Sequence, residues 1–141
     1  MNTLTQQEID LLLDKAQEAR DHSYAPYSHY HVGAALLTAD GQIYQGCNIE
    51  NAAYGPSNCA ERTAFFKAVY DGHRAFRAIA VIATGEEPGF PCGVCRQVMA
   101  EFCGGDFLIV TANRDRTKVD VSPFKILLPH AFGPKDLNVE V

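Results

Sequence analysis

The chain reads as an α/β domain, one mixed sheet with helices on both faces, spanning residues 1–141 as a single unit. Three observations predict this. Strand-like and helix-like segments alternate along the sequence, the pattern of layered sheets and helices. Two runs, Phe76 to Ala83 and Phe107 to Thr111, are almost wholly apolar and β-prone, as strands buried on both faces should be. Two further runs flank Asp40-Gly41, a two-residue hairpin signal, so the sheet also holds an antiparallel pair.

The elements follow in order. Thr5-x-x-Glu8 has the form of a capping box, and Ile9, Leu12, Leu13, Ala16 and Ala19 then recur at helical spacing, predicting a helix over about Gln6 to Arg20. His22 to His31, with Pro26 and three tyrosines, reads as a loop. Val32 to Ala39 and Ile43 to Cys47 form the hairpin, and Asn48 to Asn58 is irregular. Ala60 to Tyr70 is an alanine-rich helix closed by Gly72. After the Phe76 strand, Thr84 to Pro91 leads into a second helix at about Cys92 to Phe102, ended by Gly104-Gly105. The Phe107 strand and the turn Asn113 to Arg116 precede a polar edge strand, Lys118 to Val121. Ser122-Pro123 reads as an N-cap followed by proline at the first position of a short helix, and Pro129 to Val141 as a tail.

Composition narrows the functional classes. Hydrophobic residues make up 47% of 141, enough for a packed core. Twelve Lys plus Arg against 17 Asp plus Glu give −5, so there is no basic footprint for nucleic-acid strands. No apolar run is long enough to span a membrane, and Met1 to Glu8 lacks the features of a signal peptide. A cytoplasmic protein with reduced thiols is therefore expected, and five cysteines, an odd number, argue against a disulfide framework.

The chemistry is concentrated in Cys59-Ala60-Glu61 and Pro91-Cys92-Gly93-Val94-Cys95. Three thiols suit a metal site whose fourth position stays open, as in catalytic rather than structural zinc sites. Both cysteine groups fall at predicted helix starts, where backbone donors and the helix dipole favour thiolate. Cys92 and Cys95, three apart, share a helix face. Cys59 and Glu61, two apart, would not do so in a regular helix, so Cys59 must lie at the helix edge in non-helical geometry. Two other readings compete. Cys47 or Cys103 could close a four-cysteine structural site, or Cys92 and Cys95 could be a redox pair. The histidines at 22, 29, 31, 73 and 130 show no ligand-like spacing.

Cys59-Ala60-Glu61-Arg62-Thr63-Ala64 and Pro91-Cys92-Gly93-Val94-Cys95-Arg96-Gln97 resemble the small homotetrameric cytidine deaminases. So do Pro26-Tyr27-Ser28, Val32-Gly33-Ala34-Ala35, Gly46-Cys47-Asn48-Ile49-Glu50-Asn51 and Leu127-Leu128-Pro129, and the likeness runs from about Ala19 to Leu137. The resemblance implies a three-layer α/β/α sandwich about a five-stranded mixed sheet. It implies one zinc per subunit on Cys59, Cys92 and Cys95, with hydroxide attacking C4 of a pyrimidine nucleoside while Glu61 shuttles protons. It places Asn48 and Glu50 on the ribose 3′-hydroxyl and the Ala60 N–H on the pyrimidine O2. Ala52, Tyr54 and Phe132 match residues contributed to neighbouring active sites, and Arg62 and Arg96 match donors to the thiolates. Tyr30 stands where the family commonly stacks a phenylalanine on the base, and Phe90 where relatives carry a small polar residue. A deaminase of a related analogue such as blasticidin S, or a non-catalytic zinc-stabilised binding module, are the rival functions.

Overall fold

A computed structural model describes residues 2–140. Five strands, β1 (Val32–Thr38), β2 (Ile43–Cys47), β3 (Phe76–Ala83), β4 (Leu108–Ala112) and β5 (Val119–Pro123), form one sheet in the order β2-β1-β3-β4-β5. β3 and β4 run parallel, and the other neighbours are antiparallel. The helices are α1 (Gln6–Arg20), α2 (Ala60–Tyr70), α3 (Gly93–Phe102) and the short α4 (Phe124–Leu127), with a final 3-10 turn at Pro134–Leu137. The mixed five-stranded α/β/α sandwich is the one expected.

Strand alternation sorts the core into two layers. Ala35 and Leu37 of β1, Ala80 and Ile82 of β3 and Val110 of β4 pack beneath Leu12, Leu13 and Ala16 of α1. Ala34, Leu36, Ile79, Val81 and Ile109 face the other way, onto Ala64, Phe65 and Ala68 of α2 and Met99 of α3. The double burial of β3 explains its uninterrupted apolar run. Phe65 is wholly buried among Phe76, Phe102 and Phe107, with ring centroids 5.0–6.3 Å away. Burying such a side chain contributes about 1.5–3 kcal/mol.

Two glycines let the helices approach the sheet. A Cβ on Gly33 would lie 1.9 Å from the Ala16 carbonyl oxygen of α1, and one on Gly46 2.4 Å from that of Ala60 in α2. The close approach at Gly46 seats the first turn of α2 directly on the edge hairpin. The expected capping box is present: the Thr5 side chain accepts from the Glu8 N–H at 3.1 Å, and the Glu8 carboxylate accepts from the Thr5 N–H at 3.0 Å.

Three local expectations are corrected. The hairpin forms, but its closing pair is Thr38 N–H to Gln42 carbonyl at 2.9 Å, so the connection is Ala39-Asp40-Gly41 rather than two residues. Ala39 is drawn out of the ladder because its N–H donates to the Ala75 carbonyl at 2.9 Å, and Gly41 takes φ +92°. Ser122 is not an N-cap: Ser122 and Pro123 stay in β5, paired with Ile109 and Leu108, and the Ser122 hydroxyl donates to Asp120 at 2.6 Å. Pro123, with extended backbone, is the cap of α4 itself. The helix expected from about Cys92 begins instead at Gly93, with Cys92 as its cap and Pro91 before it.

Candidate metal centre and active-site cleft

Cys59 and Cys92 are the N-caps of α2 and α3, both with extended backbone (φ −79°, ψ 157° and φ −67°, ψ 168°). Neither thiol caps its helix by a side-chain hydrogen bond, so both sulfurs are free to point between the two helix ends. The extended backbone at Cys59 answers the spacing problem, because it lets Cys59 and Glu61 converge although they are only two residues apart. Cys95, three residues into α3, brings the third sulfur from a buried position. The three sulfurs lie within 4.8 Å of one another, and those of Cys59 and Cys92 are 3.7 Å apart. Tetrahedral zinc with Zn–S of about 2.3 Å requires about 3.8 Å between sulfurs, so the thiols are spaced to accept the ion. Cys47 and Cys103 stay outside the cluster, which removes the closed four-cysteine reading among the described residues.

Hydrogen bonding from the Cys95 thiol, and then the Arg62 guanidinium, hold the Cys59 thiol well below its usual range. The same hydrogen bond, with burial, pushes the Cys95 thiol up. Arg62 Nη2 donates to Cys59 Sγ at 3.2 Å, one turn along α2. Arg96 does not join it. Its Nε donates to the Pro91 carbonyl at 2.7 Å and its Nη1 to the Leu127 carbonyl at 2.6 Å, so it ties the loop before α3 to the end of α4. The resemblance implied a sulfur partner, but the carbonyls of Pro91 and Leu127 take the guanidinium instead.

Glu61 is 5% exposed, next to the sulfurs but not among the metal-spaced ligands. Burial pushes its carboxyl up to about 7; a hydrogen bond from its own backbone N–H opposes this and the Cys59 charge adds to it. Ala60, wholly buried at the first position of α2, has one of the orphan N–H groups of a helix start and lines the cleft.

That cleft, about 670 Å³, opens where the start of β1 meets the end of β3, with Val32 opposite Ala83. Tyr30, Asn48, Glu50, Tyr54, Glu61 and Phe90 all line it. The Asn48 side chain accepts from the Val32 N–H at 2.9 Å and donates to the Tyr30 carbonyl at 2.7 Å. Glu50 Oε1 accepts from the N–H groups of Tyr27 and Ser28 at 3.0 and 3.1 Å, and Oε2 accepts from the Ser28 hydroxyl. These bonds, the Ser28 hydroxyl first, hold the Glu50 carboxyl below the usual carboxylate range. Tyr30 is half-exposed, and its hydroxyl lies so near Gly89 that a Cβ there would sit 2.6 Å from it. Burial and the nearby Glu61 charge push its phenol up.

Ala52 and Phe132 are exposed and do not line this chain's own cleft. The Phe132 carbonyl accepts from the Gln97 side chain at 2.9 Å, which holds the tail to α3. The residue missed in sequence was Ser28. It lies in a motif noted for resemblance alone, and nothing local signals its long-range partner Glu50.

A mixed-sheet α/β sandwich that brings three thiols and a buried carboxylate together at two helix N-termini is a zinc-deaminase type of domain. Residues 6–111 match the family model described as the cytidine and deoxycytidylate deaminase zinc-binding region. A cytidine deaminase of Sporosarcina psychrophila is 51% identical over 131 residues, covering 93% of this chain and 96% of the relative. The crystal structure of cytidine deaminase from Burkholderia pseudomallei superposes with a TM-score of 0.84 at 46% identity, covering 92% of this chain and 100% of that one. That from Mycobacterium tuberculosis gives 0.76 at 36%, covering 88% and 96%. The chain belongs to the cytidine deaminase family, and it is a zinc-binding enzyme of that family.

Proposed function

We propose that this enzyme hydrolyses the exocyclic amine of cytidine and deoxycytidine, giving uridine or deoxyuridine and ammonia, as a step of pyrimidine salvage in the cytoplasm. The observation that carries the reading is the buried Glu61 carboxyl beside the three-thiol cluster, in a cleft that Asn48 and Glu50 also line. When bound by Cys59, Cys92 and Cys95, zinc supplies the Lewis acidity that makes water a nucleophile at neutral pH. Glu61, whose burial places its pKa at about 7, takes a proton from the attacking water and delivers it to pyrimidine N3. It then takes the second proton from the hydroxyl left on C4 and passes it to the amine, so that ammonia leaves as the C4 carbonyl forms. The Ala60 N–H donates to the pyrimidine O2, and the Tyr30 ring stacks on the base.

The sugar end follows from counting valences. An ionised carboxylate has about four acceptor sites, and the internal bonds of Glu50 use three. A primary amide has two donors, and Asn48 spends one on Tyr30. A Glu50 acceptor and an Asn48 donor thus remain, the pair that a single hydroxyl satisfies, and a site so built rejects ligands without it. The cleft's charged lining is Glu50, Glu61 and Arg62, and Arg62 donates through Nη2 to Cys59. A phosphate would meet two carboxylates against one part-buried guanidinium already bonded to a sulfur, which favours nucleosides over nucleotides. The helices described are none long and apolar enough to cross a membrane. A homotetramer completes the proposal, with Ala52 and Phe132 of one subunit reaching a neighbour's site; Tyr54, which the resemblance also assigns to a neighbour, lines its own chain's cleft.

Steady-state kinetics on zinc-loaded protein test the substrate class. Cytidine and deoxycytidine should exceed both free cytosine and cytidine 5′-monophosphate in kcat/KM by roughly 100-fold or more. Comparable values for cytosine would remove the sugar-reading role of Asn48 and Glu50, and comparable values for the monophosphate would remove the charge argument.

A further inference from the structure

We propose that Ser28 is a positioning residue for the reaction, joining the carboxylate that reads the sugar to the ring that covers the base. It lies between α1 and β1, in a turn closed by the His29 N–H to the Ala25 carbonyl at 3.0 Å and preceded by an isolated bridge of Tyr24 to Ile49. Its hydroxyl donates to Glu50 Oε2 and accepts from the Tyr30 N–H at 3.0 Å, while its own N–H donates to Glu50 Oε1 at 3.1 Å. A serine hydroxyl has one donor and two acceptor sites, so the donor is fully committed to Glu50. The following residue, His29, takes φ +57°, a left-handed conformation that is costly for a residue with a Cβ. This turn brings Tyr30 back within reach of Ser28, and Asn48 then fixes the Tyr30 carbonyl and the Val32 N–H.

The arrangement has a consequence for catalysis. Glu50 lies on the irregular segment after β2 and Tyr30 precedes β1, yet one hydroxyl bonds to both. Bound by Ser28 and two N–H groups, the carboxylate keeps one acceptor site, aimed by the other three. Without the hydroxyl, Glu50 can rotate, two sites on Oε2 become open to water, and the Tyr30 N–H loses its acceptor. Zinc ligands and Glu61 stand on α2 and α3, which Ser28 does not bond. Loss of Ser28 therefore weakens substrate binding before it touches the chemical step.

This inference rests on the reading of Glu50 as the sugar-binding carboxylate, and the experiment separates the two. KM and kcat for cytidine are measured for the parent, Ser28→Ala, Ser28→Thr, Glu50→Ala and the Ser28→Ala/Glu50→Ala double variant, alongside zinc content and Tm. Hydrogen bonds to charged groups predict a rise of roughly ten-fold or more in KM for Ser28→Ala, with kcat and zinc content close to parental. Ser28→Thr, which keeps the hydroxyl, should stay within roughly three-fold. In the Glu50→Ala background, removing Ser28 should change KM little further, because the group it positions is gone. A parental KM for Ser28→Ala, or an equal penalty with and without Glu50, overturns the positioning role. A parental KM for Glu50→Ala instead overturns the sugar-reading assignment. If Ser28→Ala does not accumulate as folded protein, Ser28→Cys, similar in shape but a weak donor, makes the same comparison.

Discussion

Burial holds the Glu61 carboxyl near neutrality, whereas Arg62 one position on draws charge from the Cys59 sulfur. Glu61→Gln preserves shape and removes the proton shuttle, so turnover should fall by at least ~10²–10⁴-fold while zinc stays bound. Activity within a few-fold of the parent, with metal content measured on the same sample, would take Glu61 out of the mechanism. Three thiolates on Zn²⁺ leave a net −1, which disfavours the ionisation of water, and a guanidinium hydrogen bond relieves part of that charge. Arg62→Ala should therefore lower kcat and loosen zinc, and Cys59→His in that background should restore part of the loss by removing one thiolate charge. Full zinc retention and a parental pH–rate profile for Arg62→Ala would sink the compensation account. The thiols were readable from their residue type and spacing, whereas Arg62 was implied by the resemblance and its bond to Cys59 spans one helix turn. The bonding of Arg96 was not readable, because its partners, the carbonyls of Pro91 and Leu127, depend on how α3 and α4 are packed.

Helix starts organise the site, since Cys59 and Cys92 are both caps with extended backbone. Sequence periodicity located α1, α2 and β3 to the residue and showed that Cys59 had to leave helical geometry before Glu61 could join it. It misplaced the start of α4, because Ser122-Pro123 satisfies a capping pattern and an edge strand equally well, and pairing with Ile109 and Leu108 decides between them. The capping box of α1 carries a pH dependence. The Thr5 N–H and then Arg77 hold the Glu8 carboxyl below its ordinary 4.5. A depressed folded-state pKa contributes stability that is present above the unfolded value and lost as pH falls through the folded one. Glu8→Gln should thus have a lower Tm than the parent at pH 7, and the gap should close as pH falls below about 4.5. A gap that is unchanged across that range would show that the carboxylate's charge is not what stabilises α1.

The molecule as a whole leaves aromatic side chains in contact with solvent both on the cleft lining and outside it: Tyr54 and Phe90 in the cleft are 72% and 44% exposed, and Phe132 outside it is 59% exposed. Phe132 lies outside its own chain's cleft, so its proposed role requires another subunit. Phe132→Ala should lower kcat/KM by roughly ten-fold, the effect of losing a buried aromatic anchor at an interface, and shift light scattering away from a tetramer. A fully active monomer would dispose of the shared site. Assembly of this kind was legible only through resemblance, because nothing in one chain's patterning distinguishes an exposed aromatic from an interface one. The most direct test of the central claim follows cytidine absorbance in purified protein, with uridine, ammonia and zinc quantified on the same sample. The account predicts equal amounts of uridine and ammonia, loss of turnover on chelation, and its return with about one zinc per chain. Folded protein carrying one zinc that leaves both cytidine and deoxycytidine unchanged would contradict it.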